Sequence, residues 1–111
     1  MLEQQSLDEF YDLANKSAED IKLNEALDRL FKNSDFNLVI VKGYLTELAL
    51  KLVKDKGTAY LGTDEINIDR GLIGISKLQH HLDTIRTNAE IAIKTRDDAY
   101  TAIHELTKGN E

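Results

Sequence analysis

Residues 66–106 read INIDRGLIGISKLQHHLDTIRTNAEIAIKTRDDAYTAIHEL. Taken in sevens, Ile68, Ile75, Leu82, Ala89, Arg96 and Ile103 share one position, and Gly71, Leu78, Ile85, Ala92, Ala99 and Leu106 share the position three residues on. Only Arg96 among them is charged, and only Gly71 lacks a side chain. A 3-4 repeat held over about five to six heptads predicts a long amphipathic helix with an apolar seam. No proline interrupts it. At about 1.5 Å per residue, some 40 residues reach roughly 60 Å, so the helix must lie along other helices.

Working outward from this helix, the segment before it supplies a first partner. Leu38, Val41, Leu45, Leu48 and Leu52 form a seam, and Phe36, Val39, Ile40, Tyr44 and Val53 widen it. A helix apolar over more than half its circumference is expected to be buried on several sides. Leu38–Val41 alone could be a strand, but the seam on either side favours helix. Gly57 suits the residue after a helix end, Thr58–Gly62 reads as a loop, and Thr63 or Asp64 caps the long helix. Gly71 and Gly74 either permit close helix approach or mark a kink; alternatively the helix begins after Gly74. Lys108-Gly109-Asn110 carries helix-stop chemistry.

Towards the N-terminus, residues 1–5 are polar and expected to fray. Ser6-Leu7-Asp8-Glu9 has the form of a capping box, opening a first helix through Leu7, Phe10, Tyr11, Ala14, Ala18 and Ile21. Asn24 reads as the cap of a short second helix bearing Leu27, Leu30 and Phe31, stopped at Asn33-Ser34, with Asp35 or Ser34 capping the next. The expectation is an all-α single domain over 1–111, with helices near 7–20, 24–32, 35–55 and 64–107. It is a small helical bundle whose long C-terminal coiled-coil-like helix packs on a core helix as an antiparallel hairpin. The expected core is Leu27, Leu30, Phe31, Phe36, Ile40, Tyr44, Leu48, Leu52, Ile75, Leu78, Leu82 and Ile85.

Composition excludes several functions. There is no cysteine, hence no disulfide framework or thiolate metal site. The net charge of −6 argues against nucleic acid as the main partner, because phosphate binding needs a positive surface. No apolar run is long enough for a transmembrane helix, so no membrane partner is expected. Met1-Leu2-Glu3-Gln4-Gln5 lacks the features of a secretory signal.

Residues that could carry chemistry are poorly placed for it. His80 and His81 are adjacent, about 100° apart on a helix, and His104 is some six turns away. A two-histidine helical metal site needs i, i+4 spacing, so no metal is expected. Asp97, Asp98 and Glu90 have no histidine close enough to complete an acid–base set, and Lys94 lies four residues from both Glu90 and Asp98, as surface pairs do. Gly71-Leu72-Ile73-Gly74 lacks the third glycine and preceding strand of a phosphate loop. The serines Ser6, Ser17, Ser34 and Ser76 have no activating neighbour. No catalytic residue and no cofactor is expected.

The eight-residue stretch Arg29-Leu30-Phe31-Lys32-Asn33-Ser34-Asp35-Phe36, followed by Gly43-Tyr44 and Leu52-Val53, resembles a set of small helical proteins encoded by tailed bacteriophages. Those proteins often show an R-L-x-K-N-x-D-F pattern, a G-Y pair and an apolar helix ending in L-V. The resemblance covers roughly residues 25–105 and is generic in the heptad half. It implies a structural or morphogenetic setting, in the virion or the bacterial cytoplasm, and carries over no functional residue. The motif also has a plain physical reading: Lys32-Asn33 stops one helix, Asp35 caps the next, Phe36 packs under the turn, and the Tyr44 ring reaches back across Gly43 to the first helices.

The expected function is that of a non-enzymatic structural or assembly protein making homo-oligomeric or other protein contacts. The alternative is a small phage-encoded interaction protein that inhibits or sequesters a host factor or signalling molecule. A hairpin folded at 58–62 would leave the far half of the long helix uncovered. The interface is therefore expected at Ala89, Ala92, Ile93, Arg96, Ala99, Tyr100, Ile103 and Leu106. Arg96 either snorkels to solvent or pairs with an acid on a partner helix.

Overall fold

The computed structural model describes residues 2–58 and 63–108. All of these except Lys32 and Asn33 are helical, and no strand occurs among them. Helix α1 spans Leu2–Phe31, and α2 is the single turn Ser34–Phe36. A π-helical segment, Asn37–Leu48, leads into α3, Ala49–Thr58. These last three run on as one middle helix, 34–58. Helix α4, Thr63–Lys108, is the long C-terminal helix. The chain divides into two compact units, residues 28–83 and residues 1–27 with 84–111.

In the unit of residues 28–83, the turn at 32–33 is held by side chains. Asn33 accepts the Phe36 backbone N–H at 2.9 Å through its Oδ1, so Asn33 is the N-cap, in place of Asp35 or Ser34. The Asn37 amide donates to the Phe31 carbonyl. The Phe31 and Phe36 rings meet edge to face, 5.7 Å between centroids, and both remain half-buried. The middle helix then runs antiparallel to the start of α4. Lys56 Nζ donates to Asp69 Oδ1 at 2.7 Å. A Cβ placed on Gly71 would lie 2.9 Å from Leu52 Cδ1, and one on Gly74 would lie 3.5 Å from the Tyr44 hydroxyl. Descending numbers on one helix thus meet ascending numbers on the other. Gly71 is a point of close approach inside a helix that already began at Thr63. The Tyr44 hydroxyl is thus directed at α4.

Three further expectations need correction here. The middle helix is not buried on several sides: none of its residues is buried, and Phe36, Ile40, Tyr44, Leu48 and Leu52 are all half-buried. One helix packed on one other covers only one side of each. Leu30 is exposed, not core. Gly57 lies within α3, which continues to Thr58, where the hydroxyl donates to the Asp55 carbonyl. Of the expected loop at 58–62 only Thr58 is described; Gly109 and Asn110 also lie outside the described residues.

In the unit of residues 1–27 and 84–111, α4 packs against α1. The first helix shows neither of the expected boundaries. It begins at Leu2, ahead of the Ser6 box, and passes through Asn24 without a break. The reason is a heptad stripe with two polar members. Leu7, Phe10, Ala14, Ser17, Ile21 and Asn24 recur at 3-4 spacing, all buried or half-buried. Ser17 is buried with its hydroxyl bonded to the Leu13 carbonyl at 2.8 Å, so it behaves as a small core residue. The core of this unit is built from Ala14, Ser17, Leu27, Ile85, Ala89, Ala92, Ala99 and Ile103. Small residues on both helices let their backbones approach closely.

Candidate protein-contact surface

The interface expected on the far half of α4 rested on that seam being uncovered. It is covered within the chain. Ala89, Ala92, Ala99 and Ile103 are buried in the unit where α4 packs on α1, and Leu106 is half-buried. A first helix ending near residue 20 is too short and too poor in large apolar groups to cover the seam, whereas α1 spans Leu2–Phe31. Ile93 and Tyr100 remain exposed, at 42% and 52%. Arg96 is half-buried, and its Nε donates to Asp97 Oδ1 of the next residue at 3.3 Å.

The larger apolar display is on the middle helix, where the sequence reading had placed the core. Leu38 and Val39 are each 62% exposed, and Leu50 and Val53 each 58%. Helical geometry explains the direction of Leu50. Leu52 faces Gly71 of α4, so Leu50, two residues back and about 200° round the helix, faces away from it. Between the two apolar pairs lie Lys42 and Glu47, 3.9 Å apart and with side chains about two-thirds exposed. Five residues separate them, the spacing of neighbours along a π-helical face. The Thr46 hydroxyl donates to the Val41 carbonyl, also five residues back, at 2.9 Å. Ile66 and Ile73 add exposed aliphatic groups on α4.

Charge is divided unequally. Residues 28–83 contain eight acidic and eight basic residues. Residues 1–27 with 84–111 contain twelve acidic and six basic, so the whole of the −6 lies there. Among the described residues the clearly displaced ionisation is that of Lys56, raised above its ordinary 10.5 because the Asp69 carboxylate accepts its hydrogen bond and attracts its charge.

The residues considered for chemistry stay apart. His80, His81 and His104 are all exposed, as are Glu90, Lys94, Asp97 and Asp98. Among the described residues no group of three or more histidines and carboxylates converges as a metal site would require. An open cleft where the middle helix meets α4 is lined by Leu52, Asp55, Thr58, Asp64, Asn67 and Ile68, without a nucleophile–base pair among them. No helix among the described residues is long and apolar enough to cross a membrane. Compared with family models, curated proteins and solved structures, the chain matches none of them.

Proposed function

We propose that the chain is a non-enzymatic structural or assembly protein that works through helix-mediated contacts with other copies or other proteins, in the setting of a tailed bacteriophage. The observation that carries this reading is the middle helix. It is strongly apolar, yet holds no buried residue and turns Leu38, Val39, Leu50 and Val53 to the outside. Exposed apolar faces of this extent mark contact surfaces in soluble proteins. The phage setting rests on the resemblance carried by residues 29–36, Gly43-Tyr44 and Leu52-Val53. The test is mass spectrometry on particles purified from infected cells. Under this reading the chain is present in them, or in an assembly intermediate, at a fixed ratio to the other structural proteins.

A second reading is favoured by the charge division. A unit with twelve acidic against six basic residues suits a basic protein surface. The chain would then bind and inhibit or sequester a host factor. A chain missing from particles and intermediates, but recovered from infected cells with one basic host protein, would decide for this alternative.

A further inference from the structure

We propose that two copies of this chain pair through the outer face of the middle helix, the two helices antiparallel about a twofold axis. The inference rests on the contact function proposed above and names the occupant of its exposed face. A twofold interface must be self-complementary: what one copy presents at one end must suit what it presents at the other. The middle helix meets this condition. From its start the exposed residues of this helix include Asp35, then Leu38 and Val39, then Lys42, then Glu47, then Leu50 and Lys51, then Val53 and Lys54.

Laid antiparallel on itself, this order falls into register. When Val39 faces Leu50 of the second copy, Lys42 faces Glu47 and Asp35 faces Lys54. In that register Leu38 packs between Leu50 and Val53 of the other copy. Each contact occurs twice. Apolar groups meet apolar groups, and Asp35, Lys42, Glu47 and Lys54 each meet their opposite; Lys51, about 100° round the helix from Leu50, lies beside Leu38 at the edge. In a parallel pairing the same residues would set Lys42 on Lys42 and Glu47 on Glu47.

Net charge supports the same choice of occupant. Residues 28–83 are balanced at eight acids and eight bases, so two such units do not repel. The acidic unit would oppose a pairing of two copies through its own surface. The exposed face of a 25-residue helix lies at or below the small end of the roughly 1,200–2,000 Å² buried in stable complexes. The association is therefore reversible and concentration-dependent.

Sedimentation equilibrium of the full chain tests this, at concentrations up to about 200 μM, a range suited to a weak pair. The wild type forms dimers and no higher species. Leu50→Lys weakens dimerisation by about tenfold or more, as loss of a central apolar contact does. Lys42→Glu and Glu47→Lys each weaken it by about three- to tenfold, since each disrupts two exposed pairs. The double variant Lys42→Glu with Glu47→Lys returns it to near the wild-type value, and an equimolar mixture of the two single variants pairs more tightly than either does with itself, a recovery that repair of the Lys42–Glu47 pair within one chain does not supply. Ile93→Lys with Tyr100→Lys leaves it unchanged. A monomeric wild type overturns the inference, as does a dimer broken by the last pair and not by Leu50→Lys, or a charge-swapped double variant as weak as its singles. A monomer that is still found in purified particles refutes the pairing alone and leaves the assembly function standing. A dimer behaving as expected but absent from particles and intermediates does the reverse.

Discussion

Three glycines on helical backbone separate local propensity from local space. Gly74 has only the Tyr44 hydroxyl near it, at ordinary contact distance from an added Cβ. Gly74→Ala should therefore raise stability by about 0.5–1 kcal/mol, the usual gain over glycine in a helix interior. At Gly71 the added methyl meets the tip of Leu52, which can rotate, so a smaller gain is expected. At Gly43 it would lie 3.1 Å from the Leu38 carbonyl oxygen, which is backbone of the same π-helical turn. Gly43→Ala should destabilise despite alanine's propensity. Urea midpoints for the three variants, differing in sign between positions 43 and 74, check this. Phe36→Ala should cost about 1–3 kcal/mol in the same measurement, less than the about 3–5 of a fully buried aromatic, because Phe36 is half-buried against Phe31. Lys56 supplies a pH-dependent case. Its folded pKa lies above the ordinary value, so the stabilisation is complete below about pH 10.5 and disappears as pH rises through the folded value. The difference in melting temperature between wild type and Lys56→Met should be constant from about pH 7 to 9 and shrink towards pH 12.

At the scale of elements, the long C-terminal helix was legible because its heptads are almost wholly apolar, and the structure places it at Thr63–Lys108. The first helix was not, for a specific reason. Its seam includes Ser17 and Asn24, and a polar residue at a seam position has the same local signature as a helix cap. Asn24 Oδ1 is in fact buried without a hydrogen-bond partner. Only the spacing of 3 and 4 on both sides, from Leu7 to Leu27, betrays continuity. The π-helical turn at 37–48 had no signal in a reading based on 3.6 residues per turn. The interface residues proposed from sequence followed from the shortened first helix: with α1 at full length, Ala89, Ala92, Ala99 and Ile103 become internal. The close packing they allow is testable. Ala89, 1% exposed, has no room for a larger group, and Ala89→Leu should cost about 1–3 kcal/mol through overpacking. A substitution without effect on the denaturation midpoint would mean that the helices are not in close contact at Ala89.

At the scale of the whole molecule, the distribution of side-chain size has a thermodynamic consequence. The buried positions contributed by residues 1–27 and 84–108 are mostly alanine and serine, and the middle helix buries nothing fully. Among the described residues thirteen large apolar side chains are 42–62% exposed when the chain is folded. Unfolding therefore wets little new hydrocarbon. A chain of 111 residues ordinarily unfolds with a heat-capacity increase of about 1.3–1.7 kcal/mol/K. The monomer should fall clearly below that range in differential scanning calorimetry, and an increase within it would show that its interior is larger than described. A small increase flattens the dependence of stability on temperature. Cooling then removes little of the driving force for folding, and the single chain should resist cold unfolding even though its margin of stability at any one temperature is slim.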